Sequence, residues 1–288
     1  MPHILTSVVR AFVRRFLPGI ATALEEEGQF NHLNGPGAGS QDPSRYLEVE
    51  DNGADTTIIA FAGMAILYAA MPKFEFKKML QETGGQYNYI FVRDLYRSSY
   101  RHAPDGSNDG IAFYERAASE ALNQLGAKHN IAIGMSGGGE AAFRISGAAP
   151  IHRVVAFNPA FPLERYGSWK HLLYALLNLP VLVRDTSAYF EVLFVNLGVR
   201  YLNRRNRRLL GSEDPEQPLR DYLRRAAPAT LVYSKECSAD AWQAATLKSI
   251  SSVTCLPVAS ARHNCLAELK KQGKLETFIQ DLLQPLSE

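Results

Sequence analysis

Short apolar runs alternate with stretches of helical spacing along most of the chain. The runs with the length of a strand are Tyr46 to Val49, Thr56 to Phe61, Tyr87 to Val92, Ile131 to Gly134, Val154 to Phe157, Thr230 to Tyr233 and Val253 to Val258. The stretches with helical spacing are Asp109 to Leu125, Gly138 to Ser146, Asp240 to Ile250 and Cys265 to Leu283. Continuously apolar strands that alternate with helices are typical of a mostly parallel sheet covered by helices on both faces. The pattern therefore predicts an α/β fold.

One long segment interrupts this alternation. Between two predicted strands, residues 162–228 contain two apolar helical patterns, His171 to Leu179 and Tyr189 to Val199. They are followed by a cluster of arginines: Arg200, Arg204, Arg205, Arg207 and Arg208. An unstructured loop of this length is uncommon inside a compact domain. We predict that residues 162–228 form a helical cap, or lid, on a core made of residues 46–161 and 229–288.

Residues 1–45 precede the predicted core. Ile4, Val8, Phe12 and Phe16 recur at helical spacing with the arginines of this segment mostly opposite, and a Gly-rich loop follows over residues 34–44. We expect a helix docked on the core, with a membrane-surface or organelle-targeting helix as the alternative. The arginines interrupt the apolar stretch that a signal peptide needs, and no apolar run reaches the length of a membrane span. A cytoplasmic location is expected, and weak contact with a membrane surface stays open.

Composition and charge exclude several classes of function. The 288 residues include 31 Lys and Arg against 29 Asp and Glu, a net charge of +2. This balance provides no general attraction to phosphate backbones, so no nucleic-acid partner is expected. The three cysteines form no C-x-x-C pair, which disfavours a disulfide scaffold or a Cys-rich zinc site and favours a reducing compartment. We predict no metal and no cofactor.

The sequence Gly134-Met135-Ser136-Gly137-Gly138 matches the pattern G-x-S-x-G and lies between a predicted strand and a predicted helix. A sharp strand-to-helix turn exposes the serine hydroxyl in a strained conformation, and the small flanking residues let neighbouring backbone approach. The helix N-terminus favours negative charge that develops at the hydroxyl. The motif therefore indicates a serine nucleophile.

Glycine-rich turns also occur in two other sequence patterns. Gly137, Gly139 and Ala142 also fit a loose dinucleotide fingerprint, but that fingerprint needs an acid at the end of the next strand. The next strand ends in Ala156-Phe157-Asn158-Pro159, which contains no acid, and no Lys-Ser or Lys-Thr follows the glycines as a phosphate loop requires. A plain glycine-rich turn is the remaining alternative to a nucleophile.

A serine needs a general base, and the base needs an acid that orients it. Among the seven histidines, His263 alone follows a predicted strand by a short loop and precedes a helix, so it falls on the same sheet edge as Ser136. The acid is expected in the loop after the preceding strand, which contains both Glu236 and Asp240. We favour Asp240, with Glu236 as the alternative; Asp240 could instead cap the following helix, and Glu236 could be a solvated charge.

Other site residues follow from position along the chain. Backbone N–H groups of Gly137 and of Met64, in the turn after the strand Thr56 to Phe61, are the predicted oxyanion hole. Asp94 and Arg97 follow another strand on the same edge and are candidate substrate contacts.

The order Ser136, Asp240, His263, with one residue in each loop after a strand, resembles the α/β-hydrolase superfamily over roughly residues 46–284. The chain has Phe-Ala-Gly-Met where many relatives have His-Gly at the oxyanion turn, and Cys237 replaces the Gly of the common Gly-x-x-Asp acid loop. The resemblance implies a serine esterase with a catalytic triad that cleaves a carboxylic ester or thioester through an acyl-enzyme. An acyltransferase with the same triad and a catalytically idle binding protein are the alternatives. The apolar side chains of the predicted cap favour a small-molecule ester with an apolar acyl chain, although they could equally be ordinary cap core.

Overall fold

The computed structural model describes residues 45–63, 74, 76–82, 86–96, 98–160, 169–193, 196–197, 200, 227–248 and 250–284, together with residues 11, 14 and 15. Most of the predicted N-terminal helix and Gly-rich loop therefore lies outside the described residues. So do Met64, Arg97 and the arginines from Arg204 to Arg208.

A single seven-stranded sheet organises the chain. Its strands are β1 (Leu47–Glu50), β2 (Thr56–Phe61), β3 (Asn88–Val92), β4 (His129–Met135), β5 (Arg153–Phe157), β6 (Ala229–Ser234) and β7 (Val253–Val258), in the order β1-β3-β2-β4-β5-β6-β7. All neighbouring strands are parallel except β1, which pairs antiparallel with β3 at the edge. The predicted mostly parallel sheet is confirmed.

Most of the described helices lie between consecutive strands, and the last two follow β7. The helices are α1 (Lys77–Glu82), α2 (Gly110–Leu125), α3 (Gly137–Ser146), α4 (Trp169–Leu177), α5 (Leu179–Arg184), α6 (Ser238–Leu247), α7 (Cys265–Lys271) and α8 (Leu275–Leu283). Residues 186–193 are also helical. No helix in the described part of the chain is both long enough and apolar enough to cross a membrane.

Helices bury both faces of the sheet, and alternate residues of each strand pack against the helices on opposite sides. In β2, Ile59 and Phe61 join a cluster that includes residues of α2, α3 and α6. Ile58 and Ala60 join a second cluster with residues of α1, α7 and α8. Every residue of β2 is buried, including Thr56 and Thr57 at its start, and its last four residues, Ile58 to Phe61, are apolar without alternation.

The structure corrects the predicted helix over Cys265 to Leu283, which consists of two helices. Gly273 has φ +66°, its N–H donates to Lys270 O at 3.0 Å, and the N–H of Lys274 donates to Leu269 O at 2.9 Å. This pair of hydrogen bonds is the Schellman arrangement that ends a helix at a left-handed glycine. The short helix α1 was not predicted from the sequence.

The described part of the insertion is helical and packs on the core. We call α4, α5 and the helical residues 186–193 the insertion helices. Val192 and Ala175 share a buried cluster with Cys237 and Ala239 of the loop and helix after β6. The remainder of residues 162–228 lies outside the described residues, so a cap over the whole range stays a prediction.

Candidate active site

Ser136 lies at the turn between β4 and α3. Its backbone has φ 54° and ψ −121°, a conformation that residues with a side chain rarely adopt and that costs on the order of 1–3 kcal/mol. Neighbouring backbone holds it: the N–H of Ser136 donates to Phe157 O at 2.9 Å, and its C=O accepts from Ala160 N–H at 2.9 Å. Both partners belong to β5 and the segment after it, so the adjacent parallel strand stabilises the turn.

Close approach of backbone explains two glycines of the motif. A Cβ added to Gly134 would lie 2.2 Å from Gly138 O, and one added to Gly138 would lie 2.1 Å from Phe61 O. Neither distance is compatible with a side chain, because both contacts are to main-chain atoms. The glycines therefore allow α3 to begin directly against the ends of β4 and β2.

The structure brings Ser136, His263 and Asp240 together. His263 Nε2 is 3.1 Å from Ser136 Oγ, and His263 Nδ1 is 2.9 Å from Asp240 Oδ1. The exposed fractions of Ser136, His263 and Asp240 are 9%, 5% and 2%, so water has little access to this chain of hydrogen bonds. With its proton on Nδ1, His263 donates to the carboxylate and presents Nε2 as the acceptor of the serine proton.

Asp240 reaches His263 from inside a helix. The N-cap residue of α6 is Cys237, and Asp240 belongs to the first helical turn, so it does not have the N-cap position considered from the sequence. The thiols of Cys237 and Cys265 are buried beside the carboxylate. Burial raises the pKa of both thiols, and the negative charge of Asp240 raises it further. These neighbours stay protonated and place no second negative charge beside Asp240.

The alternative acid, Glu236, lies elsewhere. Its carboxylate pairs with Arg184 at the end of α5, and its N–H donates to Ser260 O at 3.0 Å. Glu236 therefore connects the acid loop to the insertion helices, whereas Asp240 is the residue in contact with the imidazole.

The first turn of α3 and the end of β2 lie next to each other at Ser136. Gly137 is the first residue of α3, where helical N–H groups have no partner within the helix. From β2 the chain continues to β3 on one side and returns to β4 on the other, and such a reversal leaves a crevice at the carboxyl ends of the two strands. The N–H of Ala62 donates to Val92 O at 2.8 Å. The predicted donor, Met64, lies outside the described residues.

Asp94 has a different position from the one expected of a substrate contact. Its carboxylate is fully buried and accepts hydrogen bonds from the N–H groups of Tyr96, Ser98 and Tyr100. Burial raises the pKa of Asp94, and these three hydrogen bonds oppose the shift. Asp94 therefore organises the loop after β3 and has no exposed surface to offer a substrate. The companion candidate, Arg97, lies outside the described residues.

The sequence did not single out Asn158, which joins two loops of the site. Its side-chain amide donates to the C=O of His263 and to Ser234 Oγ, and its oxygen accepts the N–H of Ser234 at 2.9 Å. Asn158 directly follows β5 and has φ 41°. Its position directly after a strand, at the sheet edge that carries Ser136 and His263, is the sequence feature that could have identified it.

Possible metal ligands are not clustered in the part of the chain that the structure describes. Within the described ranges, no group of three or more His, Cys, Asp or Glu side chains could hold a metal ion.

Comparisons with known proteins agree on the architecture. No protein-family model matches the sequence, and no curated protein matches it either. One similar solved structure is a protein of unknown function from Staphylococcus aureus, with 13% identity, a TM-score of 0.54, and coverage of 82% of this chain and 92% of that chain. Another is MGS-M2, an α/β-hydrolase enzyme from a Medee basin deep-sea metagenome library, with 16% identity, a TM-score of 0.50, and coverage of 84% and 96%. Together with the sheet order and the helices on both faces, these similarities show that the chain has the α/β-hydrolase fold.

Proposed function

We propose that the protein is a serine hydrolase that cleaves a carboxylic ester or thioester through an acyl-enzyme on Ser136. The observation that carries this proposal is the continuous hydrogen-bonded chain from Ser136 Oγ through His263 to Asp240, with separations of 3.1 Å and 2.9 Å. A serine hydroxyl is a weak nucleophile on its own, and an adjacent oriented base is what activates it.

In this mechanism His263 Nε2 takes the proton of Ser136 as Oγ attacks the carbonyl carbon of the ester. Asp240 holds the proton on Nδ1 and stabilises the imidazolium that forms. The N–H of Gly137 and a second donor from the turn after β2 bind the developing oxyanion. His263 then protonates the departing alcohol or thiol, which leaves Ser136 acylated. His263 then takes a proton from water as the water oxygen attacks the acyl carbon. The bond from that carbon to Ser136 Oγ breaks, Oγ takes the proton back from His263, and the carboxylic acid leaves.

The insertion helices favour a substrate with an apolar acyl group. Of the large apolar side chains that are exposed in the described part of the chain, all but Val49 lie between residues 173 and 197. The most exposed are Leu177 at 63% and Val183 at 87%. A concentrated apolar surface of this kind binds apolar ligands or lipid surfaces. We propose weak contact with a membrane surface through these residues.

The test is reaction of the purified protein with a fluorophosphonate probe, followed by hydrolysis of p-nitrophenyl esters of increasing acyl length. We expect Ser136 to be labelled and the rate to rise with chain length. Ser136→Ala and His263→Ala should each remove nearly all activity, because the two residues act as one unit. An unlabelled Ser136 in folded protein would identify an idle binding protein, and transfer to an added alcohol that outpaces hydrolysis would identify an acyltransferase.

The acid is tested separately. Asp240→Asn should lower kcat by roughly 10⁴-fold, because an amide favours the wrong tautomer of the imidazole. Glu236→Gln should leave kcat within about twofold, since that carboxylate contacts Arg184 and not His263. The reverse ranking of the two variants would assign the role to Glu236.

A further inference from the structure

Glu191 is a buried acid within an apolar helical segment. It lies in the sequence Tyr189-Phe-Glu-Val-Leu193, and only 3% of its surface is exposed. Leaving a carboxylate in such a position costs several kcal/mol unless charged or hydrogen-bonding partners surround it. Burial raises the pKa of Glu191, while Arg262 and the N–H of Asn264 oppose the shift.

The partners of Glu191 are the two residues on either side of His263. Its Oε2 accepts from Arg262 Nη1 at 2.9 Å, and its Oε1 accepts from the N–H of Asn264 at 3.2 Å. One carboxylate from the insertion helices therefore binds the side chain of the residue before His263 and the main-chain N–H of the residue after it.

Other contacts orient the two partners. Arg262 Nη2 also binds both oxygens of Asp185 at 3.1 Å, and Asp185 accepts the N–H of Ala188 at the start of the same helical segment. Asn264 caps α7 by accepting the N–H of Ala267 at 3.0 Å. Asp185 thus fixes the Arg262 guanidinium, and the first turn of α7 fixes Asn264. A shift of Glu191 would move these two residues and therefore His263 between them.

Stability alone does not account for this arrangement. A buried ion pair contributes little net stability compared with apolar residues of similar volume, since desolvation offsets the attraction. A general base, in contrast, must be held within about 0.5 Å of its working position by the residues behind it. Asn158 holds the C=O of His263 from the core side. Glu191 supplies the corresponding contacts from the insertion.

We propose that Glu191 is a positioning residue for the base: it holds Arg262 and Asn264, and through them fixes His263 against Ser136. The inference rests on the proposed function, because it concerns the base of that reaction. Docking of the insertion helices on the core is thereby coupled to the geometry of the catalytic histidine.

The test compares Glu191→Leu and Glu191→Gln with the wild-type protein. Leucine removes both acceptors, whereas glutamine keeps one oxygen that can accept from the N–H of Asn264; in both variants Arg262 can still pair with Asp185. Rates of p-nitrophenyl ester hydrolysis are divided by the concentration of active sites titrated with the fluorophosphonate, so that unfolded protein does not contribute. We expect Glu191→Leu to lose roughly 10- to 100-fold in kcat, the size of effect that a displacement of about 1 Å produces. KM should not change, and Glu191→Gln should restore most of the loss.

Arg184→Gln is the matched control. It breaks the ion pair between the insertion helices and Glu236, which lies outside the His263 loop. We expect its titrated kcat to remain within about twofold of wild type, as is usual for an exposed pair.

The outcomes separate the two proposals. If wild-type Ser136 is not labelled, the proposed function fails and this inference fails with it. If Ser136 is labelled but the titrated kcat of Glu191→Leu equals that of wild type, only the positioning role is overturned. A change in KM alone, or equal losses in Glu191→Leu, Glu191→Gln and Arg184→Gln, would also overturn it.

Discussion

Replacing Gly138 by alanine tests whether the closeness of α3 to β2 sets the geometry of the site. The new Cβ would lie 2.1 Å from Phe61 O and 2.7 Å from Ala62 O. An unstrained carbon–oxygen contact is about 3.3 Å, so the two backbones must separate by about 1.2 Å. Because β2 is hydrogen-bonded to β3 on one side and to β4 on the other, the start of α3 is the part that moves.

Two energies of opposite sign decide the stability of this variant. Overpacking costs about 1–3 kcal/mol, whereas alanine in place of glycine in a helix returns about 0.5–1 kcal/mol. We therefore expect a net loss of up to about 2.5 kcal/mol in the free energy of unfolding. The rate is affected more, because a displacement of about 1 Å at the nucleophile costs on the order of 100-fold, or about 2.7 kcal/mol of activation free energy.

The assay is kcat/KM for a p-nitrophenyl ester together with urea denaturation, and Gly273→Ala is the control. Gly273 has φ +66°, and a Cβ there would contact nothing within 4 Å. Alanine at this position should cost about 1–2 kcal/mol of stability through its backbone conformation and leave kcat/KM unchanged. If Gly138→Ala retains wild-type kcat/KM, the close approach of α3 and β2 does not control the site, and the reasoning from the added Cβ is wrong.

Three further predictions concern groups around the site. Because burial raises the pKa of Cys237 and Cys265, iodoacetamide at about pH 8 should modify neither thiol in native protein and both in urea. Detection of either alkylated cysteine in the native sample by mass spectrometry would contradict this prediction. Asp94→Asn should lower the free energy of unfolding by about 1–3 kcal/mol and leave KM unchanged, because an amide has one acceptor oxygen for three N–H donors. A raised KM without a loss of stability would instead place Asp94 at the substrate. Leu177→Glu should weaken co-sedimentation with phosphatidylglycerol vesicles and Val49→Glu should not, so equal binding by both variants would refute membrane contact through the insertion helices.

The sheet was predictable because its physical cause is local to each strand. The last four residues of β2, Ile58 to Phe61, are buried on both faces and are apolar without alternation, and this pattern is visible in the sequence of the strand alone. The split between α7 and α8 was missed because the apolar spacing continues across the break. Gly273 was the available sign, since a left-handed glycine is the usual end of a helix.

The order of the chain also predicted which loops meet. In a parallel sheet every loop after a strand reaches the same edge, which brings the loop after β7 near the end of β4 whatever the side chains are. The choice between Asp240 and Glu236 could not follow from this rule, because both lie in the same loop region. It depends on where α6 begins: a start at Ser238 directs Asp240 toward the imidazole and leaves Glu236 outside the helix.

The exact position of the His263 imidazole depends on contacts between segments that are far apart in the sequence. The hydrophobic and polar pattern around His263 does not reveal such contacts. Asn158 is 105 residues from His263, and Glu191 is 73 residues from Asn264. Each acts on the main chain around the imidazole, so neither is recognisable from a motif that contains the histidine. Glu191 does stand out as a lone charge in an apolar helix, and a charge that must be buried needs a partner. Its partners are the two residues beside the base, which means that the insertion must dock before His263 is held from both sides. The core sheet is therefore sufficient to bring Ser136 and His263 to one edge, while the angle at which they meet depends on the insertion as well.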